Sequence, residues 1–441
     1  MWRSSLLLLG LLVLFGALMG WATRLRAPTP LAHEAYVWQR SWNETLAGAV
    51  TEPRARLSGI LCLAAEITAE PDGLQLRRVE VDHDALRGFG GSGPVAVLRI
   101  FPSVAAGGWS PETRTSCDDW IRKIIEEWSF EHPGGIELQI DFDCPESRLA
   151  EFHSQMVRWR TQHPGVPITF TALPTWLRQE RFAALARDFP DYVLQVHSLH
   201  LPQRLSAWVG LCDPEEMREA ILAAAQLKVP FRVALPTYSC LVVFNDVGAV
   251  AEVYGEDLPE SLPVGALDAI ALDSDAPLLS SLVREWNRSR PELMRGIVWF
   301  RLPAPGDRLN WDWPLLSRVI SGESFQQNWA LRAEADPGGY HRIVLQNEGD
   351  APYDLPMSLR LRVPGARAIG SDGLSGYVSP VNPDPEASQD AIFEWHLAEP
   401  LRHFQKPPGW SGVVGWCRWQ GGAAPPVQES PRVPNPLPPH P

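Results

Sequence analysis

Apolar residues along this chain follow two alternating rhythms. Short runs at 36–40, 58–66, 94–101, 135–143, 167–173, 191–197, 229–236 and 296–302 read as strands. Between them lie stretches with apolar residues at helical spacing, at 114–129, 147–162, 178–188, 214–227, 277–289 and 312–321. In the first of these, Trp120, Ile121, Ile124, Ile125 and Trp128 share a face. In the second, Leu149, Phe152, Met156 and Trp159 do, with Ser147 as the expected N-cap. Asp213-Pro214 marks another helix start. Strands alternating with helices imply an α/β fold whose parallel sheet is covered on both faces. Eight such units predict a (β/α)8 TIM barrel over residues 34–322. A surplus strand-like run at 267–273 is expected to belong to an insertion, as a hairpin with 249–254, and 74–82 is a similar excursion. A doubly wound open sheet competes, but no Gly-rich phosphate loop follows the first strand.

Helical spacing stops near residue 328. Alternating runs at 329–334, 340–346, 356–363, 391–397 and 412–419 follow, separated by Gly, Pro, Asp and Asn. Leu359, Leu361 and Val363 alternate with Arg360 and Arg362, as in a half-exposed strand. Residues 328–420 therefore predict a small β-sandwich. Residues 424–441, rich in Pro, predict a disordered, extended tail.

The apolar run from Leu6 to Ala22, with Arg3 before it and Arg24 and Arg26 after it, reads residues 1–26 as a signal peptide or a single membrane anchor. Either reading places the rest in the periplasm or otherwise outside the cytoplasm, anchored to the inner membrane if the segment is uncleaved. A net charge of −13 without a basic run excludes nucleic acid as a partner, because phosphate contacts need clustered Lys and Arg. The six cysteines lack metal spacing, and most read as small buried hydrophobes; Cys212 and Cys240 are the candidate disulfide pair. No cofactor motif, Gly-x-Ser-x-Gly elbow or His-Glu-x-x-His is present.

The chemistry centres on 135–143. There Ile136, Leu138, Ile140 and Phe142 alternate with Glu137, Gln139, Asp141 and Asp143, so one strand face carries the acids. In a parallel barrel the carboxyl ends of the strands line the mouth. The same parity brings Trp38, Arg40, Glu66, Arg99, Thr171, Gln195, His197, Tyr238, Trp299 and Arg301 to that mouth. Two neighbouring carboxylates raise each other's pKa, which a proton donor to a glycosidic oxygen requires. Asp143 is read as the acid, Asp141 as its partner and Glu66 as a possible further carboxylate. An ion pair of Glu66 with Arg40 or Arg99 is an equal reading, and Tyr238, His197 and Trp299 also fit structural roles.

The segments 139–146 (Gln-Ile-Asp-Phe-Asp-Cys-Pro-Glu), 171–176 (Thr-Ala-Leu-Pro-Thr-Trp), 194–198 (Leu-Gln-Val-His-Ser) and 296–303 (Gly-Ile-Val-Trp-Phe-Arg-Leu-Pro) together resemble domain of unknown function 3142, over about residues 34–303. That family carries no established activity. More distantly, the chain is similar to chitinase-type glycoside hydrolases, whose fourth strand bears Asp-x-Asp-x-Glu. By parity Gln139 stands at the first Asp, Asp141 at the second and Asp143 at the Glu, while Trp299 resembles the Trp of their last strand and Tyr238 their site Tyr. Gln139 at the first Asp position and the shorter Asp143 at the Glu position depart from that pattern. The expected function is a glycoside hydrolase-like protein acting on an envelope or exopolysaccharide glycan. The alternative is a non-catalytic carbohydrate-binding or envelope-assembly protein.

Overall fold

The computed structural model describes residues 30–89, 93–197, 202, 210–261, 268–380, 390–398, 403–422 and 426–432. The apolar run at 6–22 and the Pro-rich end beyond 432 lie outside them. Among the described residues no helix is long and apolar enough to cross a membrane.

Eight parallel strands close on themselves. In chain order they are β1 (Ala32–Val37), β2 (Gly59–Glu70), then after a hairpin strand β3 (Gly73–Arg78), β4 (Val95–Ile100), β5 (Glu137–Asp141), β6 (Ile168–Ala172), β7 (Tyr192–Gln195), β8 (Phe231–Pro236) and, after an insertion, β12 (Met294–Phe300). Each pairs with the next, and β12 pairs with β1, so the parallel ring is complete. The chain is thus an α/β barrel. The excursion at 74–82 is β3, antiparallel on β2.

The insertion differs from expectation. The segments β10 (Val250–Tyr254) and β11 (Asp268–Leu272) do not pair with each other; both flank β9 (Cys240–Phe244) in an antiparallel sheet. The run Cys-Leu-Val-Val-Phe directly after β8 is apolar throughout and supplies that central strand.

Helices cover the outer face. Ser110 caps Pro111–Glu131, Asp213 caps Pro214–Gln226, Asp275 caps Ala276–Arg288 and Asp312 caps Trp313–Ile320, each accepting a backbone N–H of the first turn. Ser147 is not a cap. A short 3-10 turn over Glu146–Arg148 precedes the helix Leu149–Gln162, whose start has no side-chain cap. The largest core lies between strands and helices, where Trp128, Trp159, Trp176, Trp286 and Trp299 are buried. All six cysteines are free, so Cys212 and Cys240 are not bridged; both sit in apolar surroundings that satisfy them as hydrophobes.

After the barrel come two four-stranded antiparallel sheets. One orders Trp329–Ala335, His341–Asn347, Ser411–Gly421 and Ala366–Gly373; the other orders Tyr377–Val378, Asp390–Leu397, Ser358–Pro364 and Val427–Arg432. Their inward residues, including Leu331, Leu345, Leu361, Phe393 and Trp395, form one buried cluster. The tail read as disordered therefore contains an ordered strand. Gln428 ties it down, accepting from Leu331 N at 2.7 Å and donating to Trp329 O at 2.6 Å.

Candidate active site

The barrel lumen is stacked in layers, from the amino ends of the strands to the carboxyl ends. The lowest layer is ionic. Arg232 of β8 reaches Glu34 of β1 at 3.1 Å, Glu137 of β5 at 2.8 Å and Asp191 at 3.1 Å. Thr169 donates to Glu137 at 2.6 Å. Burial raises the pKa of Glu34 and Asp191 although Arg232 pulls both down. Above it, Tyr36 donates to Gln139 across the barrel at 2.7 Å, among Leu63, Val97, Val193, Ala234 and Val298. Gln139 is fully buried, and its amide nitrogen has no partner among the described residues. It sits one layer below the mouth, as a member of a buried polar layer and not as a sugar contact.

The top layer carries the acids. Asp141 ends β5, and its side chain is 16% exposed. Thr171 of β6 donates to its Oδ1 at 2.7 Å, and Arg99 Nε stands 3.9 Å from its Oδ2. Burial and then the neighbouring Asp143 carboxylate push the Asp141 pKa up to about 6, against the opposing pull of Arg99 and the Thr171 hydrogen bond. Asp143 has an open surface at the rim but is ringed by the protein of the mouth. That desolvation raises its pKa as well, and Arg99 lowers it. Arg99 itself lies over the rings of Phe101 (4.6 Å) and Trp38 (5.7 Å). The two acids thus stand near enough for the Asp143 charge to act on Asp141, and Asp141, expected to be the partner of the acid, is the one that keeps its proton into mildly acidic solution.

Glu66 reaches the mouth because β2 bulges between Leu63 and Ala65, which shifts its side-chain alternation. It is not a free carboxylate. Arg40 clamps both its oxygens at 2.8 and 2.9 Å and also binds Glu256 of the insertion at 2.5 Å. The ion-pair reading of Glu66 is the one realised.

Trp38, His197 and Tyr238 are buried and form an aromatic wall around Phe300. Ring centroids lie 5.1, 5.4 and 5.7 Å from that of Phe300, and Tyr36 adds another contact at 5.7 Å. Burial lowers the His197 pKa to about 3, so the ring is uncharged at neutral pH. Gln195 is half-buried and donates to His197 O at 3.3 Å.

Of two further residues assigned to the mouth, one lies elsewhere and the other is enclosed by ion pair and insertion backbone. Trp299 is fully buried in the outer core, where Nε1 donates to His33 Nδ1 at 3.2 Å and the rings stack. Arg301 is also buried, bound to Asp307 at 2.7 Å and to Gly255 O at 2.7 Å. Phe300 takes the place given to Trp299. The run Gly-Ile-Val-Trp-Phe is apolar throughout and carries no alternation from which to choose a face. Continuing the two-residue step from the lumenal Val298 would have found Phe300.

Residues 95–305 match the family described as Domain of unknown function (DUF3142). The match starts later than the span of about 34–303 on which the sequence motifs rested. Comparison with curated proteins gives no match. Among solved structures, the chain is similar to the Bacillus cereus spore cortex-lytic enzyme SleL, at 12% identity and TM-score 0.46, over 67% of this chain and 74% of that one. It is similar to a chitinase from Bacteroides thetaiotaomicron at 12% identity and TM-score 0.46, over 67% and 98% of the respective chains. A chitinase from Chromobacterium violaceum gives 12% identity and TM-score 0.44, over 66% and 98%.

Proposed function

We propose that this protein is a glycoside hydrolase-like protein acting on an envelope or exopolysaccharide glycan, with the pair Asp141 and Asp143 as its acid machinery. The observation that carries the reading is the raised pKa of Asp141, about 6, beside Asp143 at the mouth of a closed barrel. Burial, and after it the Asp143 charge, lets Asp141 hold a proton in mildly acidic solution. Asp143, at the rim, is the member positioned to meet the glycosidic oxygen. Sugar binding displaces water from Asp143, which lifts its pKa further and favours the protonated acid beside the glycosidic oxygen. Asp141, anchored by Thr171, orients the pair. Arg40, Arg99 and Gln195 are the polar groups left to contact the sugar beside them.

The apolar segment 6–22 supports export as part of this proposal, and the two carboxyl-terminal sheets are read as a β-sandwich appended to the barrel. A second reading, carbohydrate binding without turnover, draws on one fact: Arg40 occupies Glu66, so the other mouth carboxylate of β2 is not available as a base or nucleophile. Release of reducing ends from envelope and exopolysaccharide fragments separates the two. The first reading expects release that Asp143→Asn abolishes with little change in melting temperature. Saturable binding with no release, or turnover that survives Asp143→Asn, rejects it.

A further inference from the structure

Beside the barrel mouth, on the side of β1, a solvent-open cleft of about 470 Å3 is lined by Trp42, Glu44, Glu80, Val81 and Asp82 among others. Two segments build it: the turn after β1 that leads into the helix Glu44–Thr51, and the stretch after β3 that leads into the short helix His83–Leu86. Trp42 and Val81 face two ways. They line the cleft, and they also pack against the lumenal cluster that holds Trp38 and Phe300. Cleft and mouth therefore share a wall, so a chain bound at Asp141 and Asp143 can continue over Trp42.

The walls of the cleft define what fits. Trp42 is only partly buried, so part of the indole is available to cover the apolar face of a sugar ring. Around it Glu44, Glu80 and Asp82 are all exposed. Asp82 spends one oxygen on Ala85 N at 3.0 Å. Among the described residues no Lys or Arg forms an ion pair with any of the three. The nearby imidazole of His83 is held below its ordinary pKa by burial and is no counter-ion at neutral pH. Glu44 opens one helix and Asp82 caps another, but three carboxylates without a Lys or Arg partner around a partly exposed indole still suit a ligand that brings its own positive charge, held by carboxylates and ring face together.

We propose that this cleft is a second saccharide subsite, in which Trp42 supports a sugar ring and Glu44, Glu80 and Asp82 select a sugar bearing an ammonium group. The substrate class is then a glycan containing free amino sugars. This rests on the reading of the mouth as a glycan site, and the test keeps the two apart.

The probes are the hexamers of glucosamine and of N-acetylglucosamine, which share a backbone and differ in charge. Calorimetric titration of the full chain is expected to give binding of the glucosamine hexamer about tenfold tighter, with the advantage shrinking between about 0.02 and about 0.3 M salt because exposed charges are screened. Trp42→Ala should weaken both hexamers. Glu44→Gln with Glu80→Gln should remove the preference while leaving the melting temperature and the affinity for the acetylated hexamer unchanged. Equal affinity for the two hexamers, or a preference that survives the double substitution, overturns the subsite. Charge-selective binding that depends on Glu44 and Glu80, together with no release of reducing ends from either hexamer or any envelope glycan, upholds the subsite and rejects the hydrolase reading. Turnover that depends on Asp143 without charge preference does the reverse.

Discussion

Asp141→Asn should stabilise the protein, and by an amount that grows with pH. In the folded chain this carboxyl titrates at about 6, against an ordinary value of 3.8. The fold therefore binds its proton more tightly than the unfolded chain does. Stability from this group is complete below about pH 4 and is lost as pH rises through 6. Relative to a permanently neutral side chain, the cost is about 1.5 kcal/mol at pH 5 and about 3 kcal/mol at pH 8. Asparagine removes the charge and keeps an oxygen for the Thr171 hydroxyl, so the cost disappears with little loss of hydrogen bonding. Differential scanning calorimetry of both proteins at pH 5 and pH 8 reads the difference. The melting temperature of the barrel transition should rise by roughly 4–6 °C at pH 8 and by about half that at pH 5. A variant that melts at or below the wild type at pH 8, or a gain that does not change with pH, would show that Asp141 is not held in the desolvated, like-charged setting described here.

Four further outcomes follow from other layers of the molecule. Arg232→Met leaves Glu34, Glu137 and Asp191 without their shared cation, so denaturant unfolding should show a loss of more than about 3 kcal/mol at pH 8 and a smaller loss at pH 5, because burial favours the protonated forms of Glu34 and Asp191. Trp299→Ala should lower stability by about 3–5 kcal/mol, read by thermal unfolding, while glycan affinity of the folded protein stays unchanged. Phe300→Ala should lower both, since it removes the centre of the mouth's aromatic wall. His197→Gln should not move any acid limb of a pH–rate profile, because the imidazole is already uncharged across the neutral range.

The barrel was legible because its outer helices and strands differ in period, and buried strands announce themselves as short apolar runs between caps. Seven of the eight barrel strands lie where that contrast puts them; the first runs Ala32–Val37, ahead of the expected 36–40, and the helix Glu44–Thr51 that follows it was not expected. The mouth was legible where strands alternate. Asp141 ends a half-polar strand and Asp143 continues its two-residue step just beyond it, while Arg99 is the lone polar residue of an otherwise apolar strand. Where a strand is apolar on both faces, as at 296–300, parity is silent, and a conspicuous Trp drew the assignment one residue off. Depth along a strand was also hidden. Gln139 has the right face but lies a layer too low, and its hydrogen bond to Tyr36 comes from the opposite side of the barrel. The capture of Glu66 by Arg40 joins residues 26 apart in sequence, and Glu256 completes it from an insertion 216 residues from Arg40. Nothing local encodes that choice of partner. In the carboxyl-terminal sheets, Ala366–Gly373 escaped notice because Gly, Ser and Asp interrupt its alternation.

The claim on which the account turns is that Asp141 and Asp143 sit close enough at the barrel rim to resist joint ionisation. Carbon-13 NMR titration of the Asp141 side-chain carboxyl, in the wild type and in Asp143→Asn, measures this directly. The account predicts an inflection near 6 in the wild type and a lower one in the variant, still above the ordinary carboxylate value because burial persists. A wild-type inflection at the ordinary carboxylate value, or one that Asp143→Asn leaves unmoved, contradicts it.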